Sequence, residues 1–269
     1  PKPVGASPMR EFALERPATL AAATAAFNAG GEAALLAGGH TLLPAMKSRL
    51  RMPDTLVDLS QVAGLTGITK DGDRLWIGAM TLHATVATDA TALPALAQLA
   101  SGIGDQQVRN RGTLGGSVAN NDPAADYPAA VLALDGVVET TAGSYKTDDF
   151  FQGMFATALA DGEIITRIGF RIPEKAAYAK FRHPASRYAV VGVFVAKFAD
   201  GVRVAVTGAG PGVFRWEAAE AALNGAFTVA AVKGLVLDAD DLNSDIHASA
   251  DYRASLAGVM LGRAVAAAV

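Results

Sequence analysis

The chain has 269 residues, 51% of them hydrophobic, and a formal net charge of −3. That length buries a substantial core and divides into two or more lobes, while the charge balance carries no broad basic stripe of the kind nucleic acid selects. Absence of cysteine excludes disulfides, thiolate metal sites and cysteine-ligated iron–sulfur clusters within this chain.

The four histidines, at 40, 83, 183 and 247, stand too far apart for paired zinc-ligand spacing, so no metal site is expected. No apolar run reaches the roughly 20 residues that a membrane helix needs. The first residues lack a basic region followed by an apolar stretch, and the cytoplasm is the expected location.

In chain order, Thr19 is placed to cap an alanine-rich helix running to about Asn28, where Gly30-Gly31 ends it. A short apolar run at 33–36 predicts a strand leading into Ala37-Gly38-Gly39-His40-Thr41, and Pro44 suits the first turn of a helix through Ser48. Strands are expected at 56–59 and 75–79, and helices at 82–87 and 93–102.

A second glycine turn follows at Arg111-Gly112-Thr113-Leu114-Gly115-Gly116-Ser117. Asn120-Asn121-Asp122-Pro123 then breaks the chain before a helix over 124–134, with Asp126 open to two roles, helix cap or ligand to a hydroxyl. Strands are predicted at 137–141 and 164–172, with Pro173 marking a lobe boundary. Beyond it come strands at 178–182, 191–198 and 202–207 and helices at 217–223 and 252–267, with Asp200-Gly201 suited to a tight hairpin.

Each Gly-Gly pair lets the backbone approach a ligand closely, and the neighbouring Thr or Ser supplies a hydroxyl donor. One such pair alone reads as a structural turn. Two of them, each beside a hydroxyl residue and each between predicted elements, suggest a split site for a diphosphate.

Competing nucleotide motifs fail on spacing. Gly208-Ala209-Gly210-Pro211-Gly212 follows a strand, but Val213 stands where a dinucleotide fold needs its third glycine, and Pro211 removes an N–H. Neither glycine turn leads into the Lys-Ser or Lys-Thr of a P-loop, and Ser117 lacks the second glycine of a nucleophile elbow.

These residues together resemble the FAD-binding medium subunits of molybdenum hydroxylases. Ala37-Gly38-Gly39-His40-Thr41-Leu42-Leu43-Pro44, with Met46-Lys47 and Arg49-Leu50 downstream, is similar to the family's first FAD motif, and Thr113-Leu114-Gly115-Gly116-Ser117 to its second. Ile77-Gly78-Ala79-Met80-Thr81, Val108-Arg109-Asn110-Arg111-Gly112 and the stretch 120–128 also fit.

The resemblance implies an α+β chain: a two-subdomain FAD-binding fold of the vanillyl-alcohol-oxidase (PCMH) type over residues 1–172, split near 55, followed by a small C-terminal α+β domain over 173–269. It implies that FAD binds non-covalently, with backbone N–H groups of 37–43 and 113–117 holding the diphosphate. Asp126 is expected toward a sugar hydroxyl, Asn120 as a second polar contact, Ile103 and Ile165 flanking the isoalloxazine, and Tyr188 as a weaker stacking partner. Taken alone, Lys180 is a solvated edge charge; by resemblance it lies near the pyrimidine edge, where a cation stabilises the reduced ring.

The resemblance further implies a large molybdenum–pterin subunit, a small subunit with two [2Fe–2S] clusters, a dimer of three-chain units and an external electron acceptor. No catalytic residue and no metal ligand are expected on this chain. Relatives that carry an extra cluster on cysteines in this subunit are excluded by the absence of cysteine. A flavin-binding module or FAD-dependent oxidoreductase acting without molybdenum partners is the alternative.

Overall fold

The computed structural model describes residues 9–268. Strand and helix alternate at the start: β1 (Ala13–Glu15), α1 (Leu20–Phe27), β2 (Ala33–Leu36), α2 (Leu42–Lys47) and β3 (Thr55–Asp58). The Thr19 hydroxyl accepts from the Ala22 N–H at 3.2 Å, so α1 begins where its cap places it. The three strands run parallel in the order β1-β3-β2, and parallel pairing requires the crossovers that the helices provide. The period of two in β3 sends Val57 into a cluster with Ala23 of α1 and Leu56 into another with Met46 of α2.

The next stretch comprises β4 (Ile68–Asp71), β5 (Arg74–Gly78), α3 (His83–Asp89), α4 (Pro94–Ser101), α5 (Gln106–Arg109), α6 (Leu114–Asn120), α7 (Tyr127–Ala133), β6 (Val137–Thr140), β7 (Ser144–Lys146), β8 (Phe151–Gly153), β9 (Ala156–Thr157) and β10 (Ile165–Arg171). Five of these strands form an antiparallel sheet in the order β4-β5-β10-β6-β7. Ile77, Leu96, Leu99, Leu114, Tyr127, Ile168 and Phe170 are buried in one cluster beneath it.

The chain ends in β11 (Lys175–Arg182), β12 (Ala189–Phe198), β13 (Gly201–Thr207), β14 (Phe214–Arg215), α8 (Glu217–Gly225) and α9 (Ala250–Ala267), with the four strands antiparallel in that order. Along β12, Val191, Val193 and Val195 pack in the cluster that contains Leu261 of α9, while Phe194, Ala196 and Phe198 join the cluster of the preceding lobe. Pro173 therefore marks a change of sheet, and the hydrophobic core continues across it.

Several elements differ from expectation for local reasons. The helix expected from 124 starts at Tyr127, because the Asp122 carboxylate accepts the Ala124 N–H at 2.9 Å and closes a turn first. Register pairs Phe198 with Gly201, so Ala199-Asp200 forms the hairpin turn and Gly201 opens β13. The second glycine pair lies inside the first turn of α6, a helix that glycine-poor propensity rules do not favour and that Thr113 caps by accepting the Gly116 N–H at 3.1 Å.

Lys180 of β11 ties the two lobes together. Its side chain is 8% exposed, and its ammonium donates to Asp126 Oδ2 at 3.0 Å, to the Gly102 carbonyl at 3.1 Å and to the Arg187 carbonyl at 2.9 Å. Tyr178, two residues earlier on the same face, donates to Asp126 Oδ1 at 2.5 Å. Removing one partner of a buried pair strands the other charge at a cost of about 3–5 kcal/mol. Lys180→Met is expected to lose about that much in denaturant unfolding, and the double variant Asp126→Asn/Lys180→Met to lose less, because no carboxylate is left unpaired. A double variant at least as unstable as the single would contradict this account.

Candidate functional site

A cleft of about 620 Å³ opens between the parallel sheet and α6. One wall is the connection from β2 to α2. Gly39 there has φ +77, a left-handed conformation that a side chain resists. Gly38 answers to a different constraint: a Cβ on it would lie 2.8 Å from the Gly112 Cα. The first glycine turn is thus packed backbone to backbone on the approach to the second.

Among the described residues, the N–H groups of Gly38, Gly39, His40, Thr41 and Leu42 donate to no protein acceptor, whereas Leu43 donates to the Gly39 carbonyl at 3.1 Å. Successive unpaired N–H groups of this kind form a concavity suited to an anion. Leu43 is therefore not a ligand donor, and its side chain packs with Met46 and Leu56 on the far side of the turn. That corrects the expectation that 37–43 all contribute.

The opposite wall, α6, behaves differently. Leu114 donates to the Thr81 carbonyl at 3.0 Å, Gly115 to Ala79 at 2.7 Å, and Ser117 to Thr113 at 3.1 Å, while Gly116 is held by the Thr113 hydroxyl. The N–H groups of 114–117 are engaged inside the protein, so of the expected donors at 113–117 the Thr113 N–H alone has no protein acceptor among the described residues. Glycine is needed here for packing: a Cβ on Gly115 would lie 2.5 Å from that of Ala79, and one on Gly116 2.7 Å from the Thr113 hydroxyl oxygen. Ser117 and Asn120 are the residues of α6 that line the cleft with a polar side chain.

At the far end, Ile103 and Ile165 both line the cleft. The Ile103 turn is held through its carbonyls: Lys180 donates to Gly102, Arg109 to Ile103 at 3.0 Å and Gly104 at 3.2 Å, and Arg187 to Gly104 at 3.1 Å. Tyr188 stands at the mouth, 46% exposed, with its phenol pushed up by partial burial and by the Asp122 and Asp126 carboxylates. Asp126 lines the floor at 5% exposure, and burial raises its carboxyl despite the opposing effects of Lys180 and Tyr178. It makes no cap hydrogen bond to α7; its carboxylate instead accepts from Tyr178 and Lys180.

Ala37, Gly38, Gly39, His40, Thr41, Leu42, Ile103, Thr113, Gly115, Gly116, Ser117, Asn120, Asp126, Ile165 and Tyr188 thus meet in one cleft. Lys180 does not line it. It is not a solvated edge charge: it is buried with an acceptor for each ammonium proton and meets the cleft through Asp126 and the Ile103 and Arg187 turns.

The sequence analysis missed His83, which lines the cleft at 5% exposure. Burial first, then the charges of His40 and Arg109, lower its pKa to about 4. Its one signal was its place two residues after the Gly78-Ala79-Met80-Thr81 stretch, which had matched the family without a role.

Residues 10–175 match the FAD binding domain in molybdopterin dehydrogenase, and 176–268 the CO dehydrogenase flavoprotein C-terminal domain. The chain belongs to this family of FAD-binding subunits of molybdenum hydroxylases. It is 36% identical to the carbon monoxide dehydrogenase medium chain of Hydrogenophaga pseudoflava over 89% of this chain and 90% of that one. It is 35% identical to the nicotine 6-hydroxylase medium subunit of Paenarthrobacter nicotinovorans over 93% and 94%. Among solved structures, carbon monoxide dehydrogenase from Hydrogenophaga pseudoflava superposes with a TM-score of 0.86 at 34% identity, covering 97% of this chain and 98% of that one. Quinoline 2-oxidoreductase from Pseudomonas putida 86 does so with 0.87 at 29% identity, covering 97% of each.

Two outcomes follow from the site geometry. Gly116→Val sets a branched side chain against the Thr113 hydroxyl and is expected to break the α6 cap, costing about 1 kcal/mol for the cap alone together with loss of FAD retention; stoichiometric FAD in the purified variant would refute it. His83 has a folded pKa below its unfolded value of 6.5, so the unfolded chain takes up a proton first and stability is lost as pH falls from 6.5 toward about 4. The size is on the order of 3 kcal/mol. His83→Gln is expected to lose correspondingly less stability than the wild type between about pH 7.5 and about pH 4.5 in urea unfolding; equal losses would exclude His83 as the group responsible.

Proposed function

We propose that this chain is the electron-transfer flavoprotein subunit of a molybdenum hydroxylase complex, taking electrons from [2Fe–2S] clusters on a partner chain and passing them through FAD to an external acceptor. The observation that carries the reading is the run of N–H groups at 38–42 without an acceptor among the described residues, in a cleft of about 620 Å³ that Ser117 and Asn120 also line. Anion-accepting backbone on one side and side-chain donors on the other fit the diphosphate of FAD.

In this reading the N–H groups of 38–42 hold the diphosphate, with Ser117 and Asn120 opposite, and Asp126 accepts from a ribityl or ribose hydroxyl. Ile103 and Ile165 flank the isoalloxazine, and Tyr188 covers its mouth. When bound, FAD exchanges electrons singly or in pairs, which lets one-electron carriers serve a two-electron reaction. This chain's residues bind, orient and shield it.

This chain lacks cysteine and so offers no thiolate ligands for a cluster; likeness to the family supports a small partner subunit with the clusters and a large one with molybdenum and its pterin, in a dimer of three-chain units. Relatives at 36% and 35% identity are named for carbon monoxide dehydrogenase and nicotine 6-hydroxylase. Similar medium chains thus accompany different substrates, and we assign the choice of substrate to the large subunit. Among the described residues no helix is long and apolar enough to cross a membrane; the cytoplasm is the proposed location.

Co-production with the partner chains is expected to yield about one FAD per copy of this chain, bleached anaerobically on adding the substrate of the large subunit. The same chain purified alone and supplied with FAD is expected to leave that substrate unoxidised. Substrate oxidation by the chain alone would overturn the electron-transfer role in favour of a self-sufficient oxidoreductase, and a colourless complex would overturn FAD binding.

A further inference from the structure

Lys180 spends its donors on protein acceptors, whereas His83 lines the cleft with a ring nitrogen that has no partner among the described residues. His83 is the first residue of α3, and its N–H is anchored on the Gly112 carbonyl at 3.0 Å. Its imidazole lies against Gly112, where a Cβ would collide with Nε2 and stand 2.7 Å from Cδ2. Gly112 in turn donates to the Val108 carbonyl at 2.8 Å, and a Cβ on Gly104, next to Ile103, would lie 2.7 Å from the Val108 side chain. His83, Gly112, Val108, Gly104 and Ile103 therefore form one continuous wall.

The two ring nitrogens of His83 differ. Nδ1 is enclosed without a partner among the described residues, and so is the hydroxyl of Tyr127, whose ring centroid is 5.2 Å away. Nε2, which lies against Gly112, is not among the enclosed atoms and has no hydrogen-bond partner among the described residues, and His83 is one of the residues that line the cleft. Both atoms belong to rings in contact with each other, so each ring has a polar group whose hydrogen bonding no protein atom completes among the described residues. We take Nδ1 as the accepting nitrogen on the Tyr127 side, which leaves the ring proton on Nε2.

We infer that His83 donates a hydrogen bond from Nε2 to the flavin ring of bound FAD and thereby raises its reduction potential, with Tyr127 fixing the tautomer. The inference rests on the FAD reading above and on the ring lying beside Ile103. A donor preset at a site where negative charge develops stabilises the reduced ring more than the oxidised one. The depressed pKa of about 4 keeps the imidazole neutral beside the oxidised ring, so its N–H is a tuning group rather than a permanent counter-charge.

The test is the midpoint potential of FAD in the intact complex, equilibrated with a reference dye, for wild type, His83→Leu, His83→Gln and Tyr127→Phe, with FAD content and thermal unfolding measured alongside. His83→Leu is expected to lower the potential at unchanged FAD content, His83→Gln to restore most of it through its amide donor, and Tyr127→Phe to give a smaller shift in the same direction. A structural role alone would move thermal unfolding and leave the potential in place. Wild-type potential in a His83→Leu complex that retains FAD overturns the inference. Should His83→Leu lose FAD, Tyr127→Phe decides: a lowered potential supports the inference and an unchanged one overturns it. A wild-type complex without FAD sinks the FAD reading and this inference with it.

Discussion

Lys180 carries its charge at 8% side-chain exposure, where an ammonium without partners costs several kcal/mol, and that penalty dictates where four stretches of chain meet. Its protons demand the Asp126 carboxylate ahead of α7, the Gly102 carbonyl after α4 and the Arg187 carbonyl in the loop after β11. Those segments carry Asp126, Ile103 and Tyr188, three of the residues that shape the cleft. The C-terminal domain thus contributes to the site chiefly by holding parts of the first domain still, an effect reinforced by the core cluster shared across Pro173.

The two glycine motifs divide their labour. On the first, the backbone leaves five N–H groups open because the turn is too sharp to pair them internally. On the second, Thr81 and Ala79 accept the N–H groups that a helix start would otherwise expose, fixing α6 at the distance the cleft needs. One motif offers the anion its donors, and the other sets the width and supplies side chains. Glycine serves close packing at Gly38, Gly115 and Gly116 as much as ligand approach.

Much was legible without coordinates. Period-two and helical patterns located most strands and helices, since those signals are local. The strands that went unread, β1, β4, β7, β8, β9 and β14, are two to four residues long and exist because a neighbouring strand offers a ladder. The helix α6 was hidden because its glycines argue against it and its hydrogen bonds come from Thr81 and Ala79, some thirty-five residues earlier.

The amino-acid order by itself determined the motifs and the absence of any cysteine-ligated centre, and the family resemblance carried by those local runs named seventeen site residues, fifteen of which line the cleft. Only the tertiary structure decided which of those groups have hydrogen bonds left to give. Lys180 and Leu43 left the list, and the N–H groups of α6 changed role, because their partners come from distant or unpredicted contacts. His83 entered because folding buries it against Tyr127 and leaves one nitrogen unmatched. Donor supply is a property of which atoms face one another, and no local pattern records it.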